Sequence, residues 1–162
     1  MPPEYFEKTS ERYPSGDQSA LRVFLALRTA ARRVDNTVGG WLDPSGLTVT
    51  KFDVLHLLAA AAPGGATVGR LRESLRMTQP NVSFVMTSLE RERYVKRSSD
   101  PDDGRSSIFT ITKAGLAVLD ELTPIHMRSI GVALRDVSEA DRLHLIELLA
   151  TIAEGFEGAV KA

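Results

Sequence analysis

The sequence predicts a mainly α-helical fold with one small β-hairpin, on three observations. Helix-period apolar stripes recur along most of the 162 residues. One stretch, from Val95 to Thr112, instead shows the two-residue period of strands around the charged turn Asp100-Pro101-Asp102-Asp103-Gly104-Arg105. Directly before it, residues 79 to 91 read as a helix whose outer side carries mostly short polar side chains. A polar-faced helix followed at once by an arginine-bearing hairpin is the layout of a winged helix-turn-helix. One element enters the DNA major groove and the other reaches the minor groove.

Composition narrows the class. Apolar content of 43% and charge of 25% suit a globular chain. No run approaches the ~18 apolar residues of a membrane helix, so no membrane partner is expected. Met1-Pro2-Pro3-Glu4-Tyr5 lacks the basic and apolar regions of a secretory signal. Cysteine is absent, which excludes disulfides and thiolate metal sites and fits a cytoplasmic location. A net charge of -1 gives little bulk attraction to DNA, but the charge is uneven. Eight basic and six acidic side chains between Arg70 and Arg105 leave that stretch at +2 and the remainder at -3.

The elements follow in order. Asp17 can cap a first helix over residues 17 to 40, with Leu21, Phe24, Leu25, Ala31, Val34 and Val38 near helical spacing. Gly39-Gly40 is expected to end it, and Asp43-Pro44-Ser45-Gly46 to turn. A second helix runs from about Thr50 to Ala61, and Pro63-Gly64-Gly65 breaks it. A short third helix follows Thr67 with Val68, Leu71 and Leu75 on one side; Arg76-Met77-Thr78 forms a tight turn.

The fourth helix is the candidate reader. Thr78 can cap its free amides, and Pro80 suits a first turn that needs no donor. Val82, Val85, Met86 and Leu89 face the core, which leaves Gln79, Asn81, Ser83, Phe84, Thr87 and Ser88 for the major groove. Asn and Gln pair bidentately with adenine, Ser and Thr bond to bases or phosphates, and a Phe ring can touch a thymine methyl. Arg76, Thr78 and Arg97 are the expected phosphate contacts. The same pattern also describes a merely solvated helix face.

Val95 to Ser98 and Ser107 to Thr112 form the hairpin strands. Asp103 lies two residues before Arg105, so in extended chain both point the same way and the carboxylate can orient the guanidinium. Narrow minor grooves attract arginine. Thr112 can then cap a helix through Leu116, Leu119, Leu122 and Ile125, kinked at Pro124. Ser138-Glu139-Ala140-Asp141 is a capping pattern that opens a last helix with an apolar stripe of Leu143, Ile146, Leu149, Ile152, Ala153 and Phe156. With the amphipathic first helix, that stripe favours a subunit interface, since a helix-turn-helix dimer reads two matching half-sites.

These residues resemble the MarR family of bacterial transcription regulators. The matching segments are Leu47-Thr48, Phe52 to Leu55 with Leu58, Thr67-Val68 with Leu71, Val82-Ser83 with Leu89-Glu90, Tyr94-Val95 with Arg97, Asp100 with Asp103 to Arg105, and Ile111-Thr112 with Gly115. The resemblance implies residues 1–46 as an N-terminal extension and dimerisation helix. Residues 47–115 become the winged helix-turn-helix DNA-binding region and 116–162 the C-terminal dimerisation helices, all in one compact unit. It implies a homodimeric, ligand-responsive repressor on a pseudo-palindromic double-stranded operator, with Arg105 in the minor groove held by Asp103. Two positions depart from the pattern: Gly104 replaces the first of two basic residues, and Phe84 stands where many members carry a polar or basic reader.

The resemblance also implies a small aromatic or anionic effector in a cleft between the DNA-binding and dimer regions. Trp41 and Asp53 are candidates for such a cleft, and Arg22, Arg28, Arg32 and Arg33 for facing an anion. Trp41 reads better as core or interface, Asp53 as completing a cap after Thr50, and the arginines as a solvated face, so no ligand residue is assigned. Two other classes compete: a winged helix used only for protein contacts, and a small enzyme. Against the enzyme, His56, His126 and His144 are scattered, and neither a phosphate loop nor a nucleophile elbow is present. No catalytic residue, cofactor or metal is expected.

Overall fold

The computed structural model describes residues 3–13, 15–101 and 106–159, with side chains from residue 7 onward. The chain divides into two compact units, Met1–Leu122 and Thr123–Ala162.

In the first unit, α1 (Pro3–Arg12) precedes α2 (Gln18–Leu42). Asp17 caps α2 as its position predicts: its Oδ1 accepts from the amides of Ser19 and Ala20 at 2.9 and 3.0 Å. The Ala20 amide, then the Ser19 hydroxyl and amide, hold this carboxyl below the usual carboxylate range. Gly39-Gly40 does not end the helix. Val38 and Leu42 on either side are buried in the core, and a β-carbon on Gly39 would lie 4.0 Å from Val49. Tertiary packing thus overrides a glycine penalty of ~1 kcal/mol per residue. A 3-10 turn, Asp43–Ser45, follows and ends on Gly46.

Helix α3 (Val49–Ala60) is capped by Thr48, whose hydroxyl accepts from the Lys51 amide at 3.3 Å. Asp53 therefore does not complete a cap at Thr50. Strand β1 (Ala66–Thr67) leads into α4 (Val68–Leu75), and the Thr67 hydroxyl accepts from the Arg70 amide at 3.3 Å. Arg76, in left-handed conformation (φ 52°), turns the chain into α5 (Gln79–Arg91). Strands β2 (Val95–Ser99) and β3 (Ser107–Ile111) form the hairpin, with Arg97 opposite Phe109. β1 pairs on the other edge of β3, giving a three-stranded antiparallel sheet in the order β1-β3-β2. Val54, Leu55 and Leu58 of α3, Leu71 of α4 and Val82, Met86 and Leu89 of α5 are almost fully buried together. This core backs α5 and leaves its opposite face outward.

Helix α6 (Lys113–Ala133) starts under Thr112, whose hydroxyl accepts from the Gly115 amide at 3.1 Å and donates to the Arg93 carbonyl at 2.8 Å. The helix continues unbroken through Pro124. In the second unit, the Ser138 hydroxyl accepts from the Asp141 amide at 3.1 Å and opens α7 (Glu139–Ala159). No described residue of α7 is buried. Leu145 and Leu148 are exposed together with the expected Leu143, Ile146, Leu149 and Phe156.

Candidate nucleic-acid interface

The buried residues of α5 fix the directions of the rest. With Val82, Val85, Met86 and Leu89 inward, an α-helical period of 100° per residue sorts the expected readers into three strips. Phe84 and Thr87 form the crest. Gln79 and Ser83 lie on one flank, Asn81 and Ser88 on the other.

The Gln79–Ser83 flank borders a cleft of about 630 Å³. Its second wall is Thr67 of β1 with Gly69 and Arg72 of α4; its third is the hairpin, with Arg97, Ser107 and Phe109. Thr87 reaches it from the crest. Among the described residues two guanidinium groups and no carboxylate line this cleft. Arg97 is held there by two contacts. Its Nε donates to the Ser107 hydroxyl at 2.9 Å, and its guanidinium lies 5.9 Å from the Phe109 ring centroid. Arg72 also lines this cleft, and sequence reasoning misses it. Beside the buried Leu71 on a short helix, it reads as any solvated arginine until the hairpin is placed opposite.

The other candidates divide. Asn81 is exposed on the flank away from the cleft. Ser88 is half-buried, and its hydroxyl donates to Glu92 at 3.0 Å. Glu92 also pairs with Lys51, so Ser88 is engaged toward α3. Thr78 is exposed and occupies the N-cap position, but its side chain makes no cap bond. Arg76 is exposed in the turn before it. Where the two strands enter the hairpin turn, the Asp100 amide donates to the Ser106 carbonyl at 3.2 Å and the Ser106 hydroxyl to Asp100 at 3.0 Å. Asp103 and Arg105 lie outside the described residues.

A second cleft, of about 550 Å³, lies between α2, the start of α3 and the end of α4. Asp35, Asp43 and Asp53 line it, and none of Arg22, Arg28, Arg32 and Arg33 does. Arg28 instead lies over Phe24, 5.5 Å from the ring centroid. Trp41 packs against the core. Among the described residues, no group of three or more His, Asp or Glu side chains can hold a metal ion, and no helix is long and apolar enough to cross a membrane.

Comparison with known proteins agrees with this geometry. The MarR family model MarR_2 matches residues 45–106, which run from the turn before α3 to the hairpin. The HTH-type transcriptional repressor YetL of Bacillus subtilis (strain 168) is 23% identical over 151 residues, 93% of this chain and 90% of that protein. The fold is similar to that of S. aureus MepR in its DNA complex, with a TM-score of 0.75 and 21% identity over 81% of this chain and 96% of that one. It is also similar to Bordetella bronchiseptica BpsR, whose DNA binding is regulated by 6-hydroxynicotinic acid (TM-score 0.72, 24% identity, 82% and 98% covered). Sequence match, element order and the polar-faced helix beside its hairpin agree: the chain belongs to the MarR family of transcription regulators.

Proposed function

We propose that this DNA-binding transcription regulator works as a cytoplasmic homodimer, represses from a pseudo-palindromic operator and is released by a small effector. The observation that carries the reading is the cleft beside α5: two arginines, no carboxylate among the described residues and a polar helix flank, open to a polyanion. Backbone phosphates are the expected partners of Arg72 and Arg97, with Arg76 and Thr78 at the turn as further phosphate contacts. Gln79, Ser83, Phe84 and Thr87 are the expected base readers beside the cleft, with Asn81 on the opposite flank. Ser88 is expected to brace the helix through Glu92. Arg105, oriented by Asp103, is expected in the minor groove. An effector acts by changing the spacing of two reading helices set for half-sites about one helical turn apart (~34 Å). BpsR, whose DNA binding is regulated by 6-hydroxynicotinic acid, supports a small aromatic effector. The three carboxylates of the second cleft repel an anion, so an anionic effector is expected to bind elsewhere.

Selection of bound sequences from a random duplex pool with the purified protein tests the proposal. A two-fold motif is expected, and an unenriched pool overturns it. Arg97→Ala is expected to weaken operator and random duplex alike. It should also lower the slope of log affinity against log salt by about one for each phosphate that Arg97 neutralises. A loss confined to the operator would make Arg97 a base reader instead. Arg105→Ala is expected to weaken operator binding with an unchanged circular dichroism spectrum. Equal affinity in a gel-shift titration would remove the hairpin tip from the mechanism.

A further inference from the structure

Phe84 stands on the crest of α5 at 77% exposure, more than any other exposed large hydrophobic side chain among the described residues. Of its neighbours one turn away, Asn81, Thr87 and Ser88 are polar, and Pro80 in the first turn is not. The large apolar side chains left exposed in the second unit lie along α6, α7 and, at Leu134, the turn between them, whereas Phe84 stands on the crest of the helix proposed to read DNA. A phenyl ring neither donates nor accepts a hydrogen bond, so the polar base edges offer it no hydrogen-bond partner. The apolar group on a major-groove floor is the C5 methyl of a pyrimidine, carried by thymine and by 5-methylcytosine but not by cytosine.

We propose that Phe84 reads a 5-methylpyrimidine in each half-site, so that cytosine methylation at that position substitutes for thymine. The inference rests on the DNA-binding reading above and adds the chemical group recognised. Position on the helix supports it. Asn81 and Phe84 are three residues apart, ~4.5 Å along the axis, close to the ~3.4 Å base-pair step. An adenine read by Asn81 and a methyl read by Phe84 then fall on neighbouring base pairs.

The test uses the selected operator and the full chain. Each thymine of the half-site is replaced in symmetric pairs by deoxyuridine, which removes only the methyl. One position is expected to lose about fourfold affinity per half-site, ~15-fold for both, as burial of one methyl implies. Phe84→Ala changes an exposed side chain and is expected to keep the fold. It should bind the parent operator more weakly and be indifferent to that uracil. Cytosine placed there is expected to bind weakly and 5-methylcytosine to regain much of the loss. A specific operator on which every uracil is tolerated, or a uracil penalty unchanged in Phe84→Ala, overturns this inference alone. Enrichment of no sequence at all overturns the DNA-reading proposal with it.

Discussion

Leu149→Asp is expected to separate the protein into single subunits and to weaken operator binding by at least ~100-fold. Leu145, Ile146, Leu148, Leu149 and Phe156 are between 37 and 62% exposed in one copy, on more than one side of α7. A helix apolar on several sides is ordinarily buried. Covering it with a second copy removes that surface from water at ~25 cal/mol per Å², and one carboxylate inside such an interface reverses much of the gain. Because Leu149 touches water in the single copy, the helical content of the subunit is expected to survive. Sedimentation velocity then reports the change of mass, and gel-shift titration the loss of affinity that follows when one subunit holds one half-site. A variant that still sediments as a dimer moves the interface elsewhere. One that sediments as a monomer yet binds the operator normally removes the dimer from the mechanism.

Most helices are legible in the sequence because their signals are local. Asp17, Thr112 and Ser138 each bond the amides that their positions predict, whereas Thr78 makes no cap bond. Misreadings arise where distant packing decides. Gly39-Gly40 looks like a stop, but Val38 and Leu42 are tied into the core and carry the helix across. Thr48, not Thr50, caps α3, a choice between two hydroxyls that spacing alone leaves open. Strand β1 has only two residues, too few to show alternation, and is made by its pairing with Phe109 and Ile108.

The candidate site shows the same division. The polar side of α5 is readable from the spacing of its four buried residues. Its partition is not. Gln79 and Ser83 share a cleft with Arg72 and Arg97 because the hairpin folds back along one flank. Ser88 is engaged by Glu92, four residues on, which is itself held by Lys51 from α3. Arg72 belongs to the cleft only through β3, more than thirty residues later in the chain.

Two adjacent glycines offer a sharp test of the scaffold behind this cleft. Gly65→Ala is expected to destabilise the protein by roughly 3 kcal/mol or more, whereas Gly64→Ala is expected to be nearly neutral. Gly65 has φ +73°, a left-handed conformation that costs an L-residue roughly 1–2 kcal/mol. A β-carbon there would also strike the Phe109 carbonyl oxygen and lie 2.7 Å from Thr110 Cγ2. Both obstacles belong to β3, the central strand, so relief requires moving the strand rather than one flexible side chain. At Gly64 the nearest atom is the Ala61 carbonyl oxygen at 3.7 Å, an ordinary contact. For a chain of this size each kcal/mol moves Tm by about 2–4 °C, so Gly65→Ala should melt about 6–12 °C lower. Because Phe109 also lines the cleft and faces Arg97, the surviving fold should bind random duplex more weakly as well. Equal melting temperatures for the two variants would mean that β3 yields at no cost, and the hairpin would then be too pliable to position Arg97.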